Sequence, residues 1–278
     1  MEFTDFKVIK ASGEKARFSI DRVAESLRRS GANEKLIEKT LLNLKAELYD
    51  GISTKEIYKR AFGLLKAGNK TSASKYKLKT AIYELGPTGF PFEKFIAALL
   101  SHNGYKTATG KIYQGRCVTH EIDVEAKTDS KLVLIECKFH NAGRNCDVKT
   151  PLYINSRFQD IQSFRNSEDI NLDSEEAWVV TNTRFTSDAI KYGECVKLKL
   201  LSWDYPNGDG IKDKIDKLGL YPITVSTLLS EREKNFLLSR DVVLCQDLLN
   251  DTFYLDHLEI NNPRKKKILE EMNELCKH

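Results

Sequence analysis

The chain opens with a short alternation of apolar and polar residues and then changes to helical spacing. Phe6-Lys7-Val8-Ile9-Lys10 alternates as a strand does, Gly13 supplies a turn, and Arg17-Phe18-Ser19-Ile20 is placed to return as a second strand. Ile20, Val23, Ala24 and Leu27 recur at the period of one buried helix face. Ile37, Leu41, Leu44 and Leu48 repeat that pattern, as do Ile57, Ala61, Leu64 and Leu65 after the helix-start residues Ser53-Thr54. A fourth helix is predicted from Ala73 to Leu85, ended by Gly86-Pro87-Thr88-Gly89, the clearest linker signal in the sequence.

Beyond the linker the periodicity changes. A helix is predicted over 90–100, a strand after Gly104, a hairpin from 119–126 and 131–139, and further strands at 177–181 and 198–203. Helices at about 155–165 and 185–193 lie between them, so strands alternate with helices, as in an α/β domain with a mixed sheet. Asn207-Gly208-Asp209-Gly210 breaks the chain again, and the remainder reads as helical, ending in a helix over 265–277. The expectation is a multidomain α and α/β protein. It has a mainly helical domain at 1–86, a mixed sheet flanked by helices at 87–206 and a small helical domain at 207–278.

Composition narrows this picture only a little. Hydrophobic residues make up 41% and charged residues 30% of the 278 positions, an ordinary globular balance. The net charge of +4 permits nucleic-acid binding without arguing for it. None of the 6 cysteines forms a CxxC pair or a zinc-spaced cluster with histidine, so they read as reduced thiols. There is no signal-peptide core and no apolar run approaching the roughly 18 residues of a membrane span. The expected location is the cytoplasm, with no membrane partner.

The chemistry concentrates in the predicted hairpin. Leu132-Val133-Leu134-Ile135 reads as a strand covered on both faces, and Glu136 and Lys138 then interrupt it. Period-two geometry puts those two side chains on one face. A two-residue turn at Asp129-Ser130 sets a register that places Asp123 opposite Glu136, with Cβ atoms about 4.5–5.5 Å apart. Two carboxylates so close repel unless a cation lies between them, and hard oxygen ligands suit Mg²⁺. Lys138 would then orient or deprotonate a water, or stabilise phosphoryl charge. The competing reading is an acidic pair and an ion pair at a solvated sheet edge. Glu93, on the first helix of the same domain, is placed to project towards the site, although a plain surface carboxylate has the same spacing.

Asp123 followed by Glu136-Cys137-Lys138 resembles the D…ExK core of PD-(D/E)XK nucleases, specifically the Mrr family of restriction endonucleases. Phe92-Glu93, Leu99-Leu100 and Gly104-Tyr105 resemble the opening of that domain. Val180-Thr181-Asn182-Thr183-Arg184-Phe185-Thr186 and Leu201-Ser202-Trp203-Asp204 are similar to its closing part. The resemblance implies phosphodiester hydrolysis of DNA, with Mg²⁺ or Mn²⁺ on Asp123, Glu136 and the carbonyl of Cys137, Lys138 assisting the attacking water, and Glu93 in support.

The N-terminal segment resembles an ATP-cone through Val8-Ile9-Lys10, Gly13, Phe18-Ser19, Arg22-Val23, Ile52-Ser53-Thr54 and Ile57-Tyr58. Ala11 stands where that family often carries a second basic residue. The resemblance implies ATP or dATP as an effector. Lys10 and Arg22 would face the phosphates, Thr54 would lie near the nucleotide, and Lys75, Lys77 or Lys79 would approach it. A helical interaction domain without a ligand fits the same pattern. No GxxxxGK[ST] loop is present, so the nucleotide would act as a signal and not as fuel. The basic stretches at 72–79 and 263–267 suit either a phosphate backbone or solvent. The rival to a DNA endonuclease is a nucleotide-responsive DNA-binding regulator with an inactive nuclease fold; either form is compatible with a homo-oligomer.

Overall fold

The structure, a computed structural model, describes residues 6–10, 13–168 and 174–277. Ala11 lies outside them. The N-terminal part is a two-stranded antiparallel hairpin, β1 (Lys7–Ile9) and β2 (Lys15–Arg17), followed by α1 (Ile20–Arg29), α2 (Glu34–Glu47), α3 (Thr54–Gly68) and α4 (Lys70–Tyr76). The second strand ends earlier than its apolar pattern suggests, because Ser19 caps α1 by accepting from the Arg22 N–H. Leu27, Ile37, Leu65 and Ala73 close the small core of this helical part.

The fourth helix predicted by periodicity is two short ones, α4 and α5 (Leu78–Tyr83). Lys77 sits at the break. Its N–H closes α4 on Ala73 O, and its ammonium turns inward to Glu84 Oε2 at 2.7 Å and Thr224 O at 3.1 Å.

Next come α6 (Phe90–Ser101) and a five-stranded sheet ordered β3 (Lys106–Gln114), β4 (Thr119–Lys127), β5 (Lys131–Lys138), β6 (Ser174–Thr181), β7 (Lys199–Leu201). β3, β4 and β5 pair antiparallel, whereas β5, β6 and β7 run parallel. The parallel steps need crossovers, supplied by α7 (Lys149–Ser167) and α8 (Ser187–Val196). α7 begins earlier than periodicity predicts, because Asp147 Oδ1 accepts from the Lys149 N–H. β7 is shorter than predicted, because the Ser202 N–H turns back to Tyr205 O.

Alternation along β5 and β6 serves two layers. Val133, Ile135 and Val180 face α6, while Leu132 and Leu134 meet Ile161 of α7, and Ala177 and Val179 pack with Ile154 of α7 and Ala189 of α8. The uninterrupted apolar run of β5 is therefore covered on both sides.

The chain ends in α9 (Ile211–Leu218), a 3₁₀ turn (Ile223–Val225), α10 (Glu231–Ser239), α11 (Cys245–Asn250), α12 (Phe253–His257) and α13 (Asn262–Cys276). Ile215, Ile223, Leu248 and Met272 from this region share one hydrophobic core with Ala81 and Leu85, with Phe92 and Phe95 of α6, and with Val124. Polar groups tie the same layers together. Glu271 of α13, almost fully buried, accepts from Ser74 Oγ at 2.7 Å, Ser226 Oγ at 2.6 Å, and Thr227 N and Oγ1 at 2.9 and 2.8 Å. Arg29 reaches Asp216 at 2.7 Å and Asp213 at 3.3 Å. Among the described residues no helix is long and apolar enough to cross a membrane.

Candidate active site at the end of the hairpin

The register expected from the Asp129-Ser130 turn holds: Lys127 pairs with Leu132, Ala126 with Val133, Glu125 with Leu134 and Val124 with Ile135. The ladder stops there, one pair short of Asp123 and Glu136. On its other side β4 pairs with β3 at Lys111–Ile122 and Thr109–Val124, and the intervening pair Gly110–Asp123 drops out. Gly110 has φ +64, which favours glycine. Ile122 packs with Leu132 and Leu134 on the α7 face, while Val124 turns to the α6 face, so the alternation of β4 breaks at Asp123. The Asp123 side chain fills the gap: its Oδ2 accepts from the Cys137 N–H at 2.7 Å.

Glu136 is 7% exposed and held from two sides. Its Oε1 receives Lys138 Nζ at 2.8 Å, and its Oε2 receives Arg157 Nη1 of α7 at 2.7 Å. Arg157 also donates through Nη2 to Glu121 O. Glu93 lies in the first turn of α6, which starts from Gly89 at φ +81. A Cβ on Gly89 would stand 3.6 Å from Phe139 Cβ and 3.8 Å from Glu93 Oε1, which brings the helix start against the residue after Lys138.

The electrostatics are those of a crowded acidic site. Burial raises the Asp123 carboxyl to about 6; the neighbouring Glu136 charge adds to this, and the Cys137 N–H, Lys138 and Arg157 oppose it. Burial also raises Glu93 to about 7, assisted by Asp123, Glu121 and Glu136. Burial pulls the Lys138 ammonium down, but its hydrogen bond and charge interaction with Glu136 outweigh this and hold it above its ordinary value. His140 is held low by burial and then by Arg144 and Lys138.

The structure thus brings together Asp123, Glu136, Cys137, Lys138 and Glu93. Among the described residues no three His, Cys, Asp or Glu side chains form a ready-made metal cage. The donor set nevertheless fits a hard divalent cation: two carboxylates that repel each other and an adjoining backbone carbonyl, all oxygen.

Arg157 escapes a reading of the sequence, and Thr181 and Asn182 stand there only within a stretch of family resemblance, without a role. Arg157 is an ordinary basic position in a predicted helix, and only the packing of α7 beneath the end of β5 reveals it. Thr181 and Asn182, both buried, fix the backbone beyond the site: Thr181 Oγ1 donates to Lys138 O at 2.7 Å, and Asn182 exchanges hydrogen bonds with the His140 N–H and carbonyl at 2.8 and 2.9 Å. His120 binds Asp160 of α7 at 2.8 Å, tying β4 to that helix.

Lys10, Arg22 and Thr54 lie in the helical part. A bridge between Ile9 and Ser53 sets the end of β1 beside the start of α3, so Lys10 and Thr54 follow adjacent backbone positions. Lys10 pairs with Glu14 at 3.0 Å, and Arg22 stands in the first turn of α1. The lysines expected near a nucleotide make contacts outside the hairpin and α1. Lys75 stacks over Tyr221, Lys77 binds Glu84 and Thr224, and Lys79 stacks over Trp203. These contacts join the helical part to the rest of the chain.

Residues 87–205 match the restriction endonuclease family, and residues 221–276 match the family described as AF1548-like, C-terminal. An uncharacterised protein of Archaeoglobus fulgidus is 37% identical over 155 residues, covering 56% of this chain and 84% of its own length. The crystal structure of a protein of unknown function, AF1548, superimposes with a TM-score of 0.55 at 31% identity, covering 67% of this chain and 97% of its own.

Proposed function

The chain belongs to the AF1548-like family and carries a restriction endonuclease domain at residues 87–205; from that premise we propose that it is a divalent-metal-dependent endonuclease that hydrolyses phosphodiester bonds of DNA. The observation that carries this reading is the meeting of Asp123, Glu136 and Lys138 where the β4–β5 ladder lapses. Asp123, Glu136 and the Cys137 carbonyl would hold Mg²⁺ or Mn²⁺, which supplies charge neutralisation and a lowered pKa for water when bound. Lys138 is a fixed positive charge beside them, placed to orient the attacking water or to meet phosphoryl charge. Arg157 and Thr181 keep Glu136 and Lys138 in place, and Glu93 supports the acidic rim. The test is cleavage of plasmid and linear DNA with Mg²⁺, with Mn²⁺ and in EDTA. Binding without cleavage in any metal would favour a DNA-binding regulator with an inactive nuclease fold.

The helical part is proposed to be an ATP-cone-like regulator. Its support is the bridge that sets Lys10 beside the N-terminal end of α3, where Thr54 begins the helix. ATP or dATP bound by Lys10, Arg22 and Thr54 would act by favouring one of two states of the protein. Calorimetry of the full chain with ATP, dATP and ADP tests this. The absence of binding at millimolar nucleotide would leave the helical part as an interaction module.

A further inference from the structure

The ends of the parallel strands carry a group of cations that the catalytic reading does not use. Three loops meet there. The loop after β5 is joined to the loop after β6 by the His140–Asn182 exchange and by the Cys146 N–H on Arg184 O at 2.7 Å. The loop after β7 joins them through the Trp203 N–H on Thr183 O at 3.1 Å, and the Lys212 N–H at the start of α9 binds Trp203 O at 3.2 Å. Helix α5 closes the group from the N-terminal side. Lys79 Nζ stands 6.0 Å from the centre of the Trp203 ring, and a Cβ on Gly143 would lie 4.0 Å from the Tyr83 hydroxyl.

These contacts gather Lys79, Arg144, Arg184 and Lys212 at one edge of the sheet, on the side where β5 ends in Lys138. Lys79, Arg144 and Arg184 are exposed and Lys212 is half-buried; Asp204 pairs with Arg184 at 2.7 Å. Although Lys79 as a whole is exposed, its ammonium is partly desolvated against its neighbours, which lowers its pKa; the charges of Arg184 and Lys212 lower it further, with Asp204 opposing. Like charges held this close repel, and a row of phosphates would relieve that repulsion. Isolated solvated lysines would not need a shared framework of loops and a helix from outside the endonuclease segment.

We propose that Lys79, Arg144, Arg184 and Lys212 form a track for the phosphate backbone of DNA leading to the Asp123–Glu136 site. Residues on α5 and α9, outside the matched segment 87–205, thereby hold the substrate. This rests on the nuclease reading above. Contacts of this kind position a duplex without reading its sequence, and each contributes to the salt dependence of binding.

The experiment measures binding of a fluorescein-labelled DNA duplex to the full-length protein by anisotropy, in EDTA, across a salt series. Lys79→Glu with Lys212→Glu is expected to weaken binding by about tenfold or more and to lower the salt slope by about 2. The milder pair Lys79→Gln and Lys212→Gln, which removes charge without reversing it, is expected to fall between. Lys266→Glu with Lys267→Glu, on the exposed basic run of α13, which has no part in the track, is expected to bind as wild type does. Wild-type affinity and slope in both Lys79/Lys212 variants would overturn the track and leave the nuclease reading standing. So would an equal loss in the Lys266/Lys267 variant, since the effect would then be one of net charge. If the wild-type chain binds no DNA, the track and the DNA substrate both fall.

Discussion

Arg157 Nη1 and Lys138 Nζ approach opposite oxygens of Glu136, at 2.7 and 2.8 Å, so the buried carboxylate at the centre of the proposed site is neutralised by the protein's own cations. A divalent ion on Glu136 would compete with Arg157 for the same oxygen. Arg157→Ala is therefore expected to destabilise the metal-free protein by about 1.5–3 kcal/mol, the range for a hydrogen bond to a charged group. It should also make the melting temperature rise more on addition of Mg²⁺ than in wild type. Thermal melts with and without Mg²⁺ check both points; identical shifts in the two proteins would show that Arg157 does not guard the oxygen.

Glu271 sits where α4, the segment 226–227 and α13 meet, and its acceptors serve Ser74, Ser226 and Thr227. Glu271→Ala leaves these buried donors without their acceptor and is expected to cost roughly 2–3 kcal/mol. Urea denaturation measures this loss. A change within experimental error would mean the helical part is not held to the C-terminal helices through this residue.

Arg264 donates to both oxygens of Glu233 at 2.6 Å, and the Ser230 N–H adds a third hydrogen bond at 2.7 Å. The Arg264 guanidinium, against a cost of burial, holds the Glu233 carboxyl down to about 2. A carboxyl with a depressed folded pKa stabilises the fold above its unfolded pKa of about 4.3, and that contribution is lost as pH falls towards 2. The stability difference between wild type and Glu233→Gln is expected to be largest near neutrality and to shrink from pH 4 to pH 2. Chemical denaturation along that pH series is the check; a constant difference would contradict the assignment.

Much of the site is legible from local rules. The turn at Asp129-Ser130 sets the hairpin register, and period two places Glu136 and Lys138 on one face. What local rules cannot supply is the lapse of the ladder at Asp123, which depends on Gly110 in a different strand pair, and the arrival of Arg157, which depends on how α7 crosses the sheet. The break at Lys77 and the inward turn of its ammonium follow from packing against Glu84 and Thr224, nearly 150 positions further along for the latter. The linker at Gly86-Pro87 is likewise real as a local interruption, yet Ala81 and Leu85 before it share a core with Phe92 and Phe95 after it.

The most direct measurement is DNA cleavage by the full-length protein in Mg²⁺, set beside Asp123→Asn, Glu136→Gln and Lys138→Ala variants whose folding is verified by circular dichroism. The account predicts cleavage by wild type, none in EDTA, and a loss of at least about a hundredfold in each folded variant, the scale for removing one preorganised charge-stabilising group. Full cleavage in excess EDTA, or wild-type rates in any one of the three variants, would contradict it.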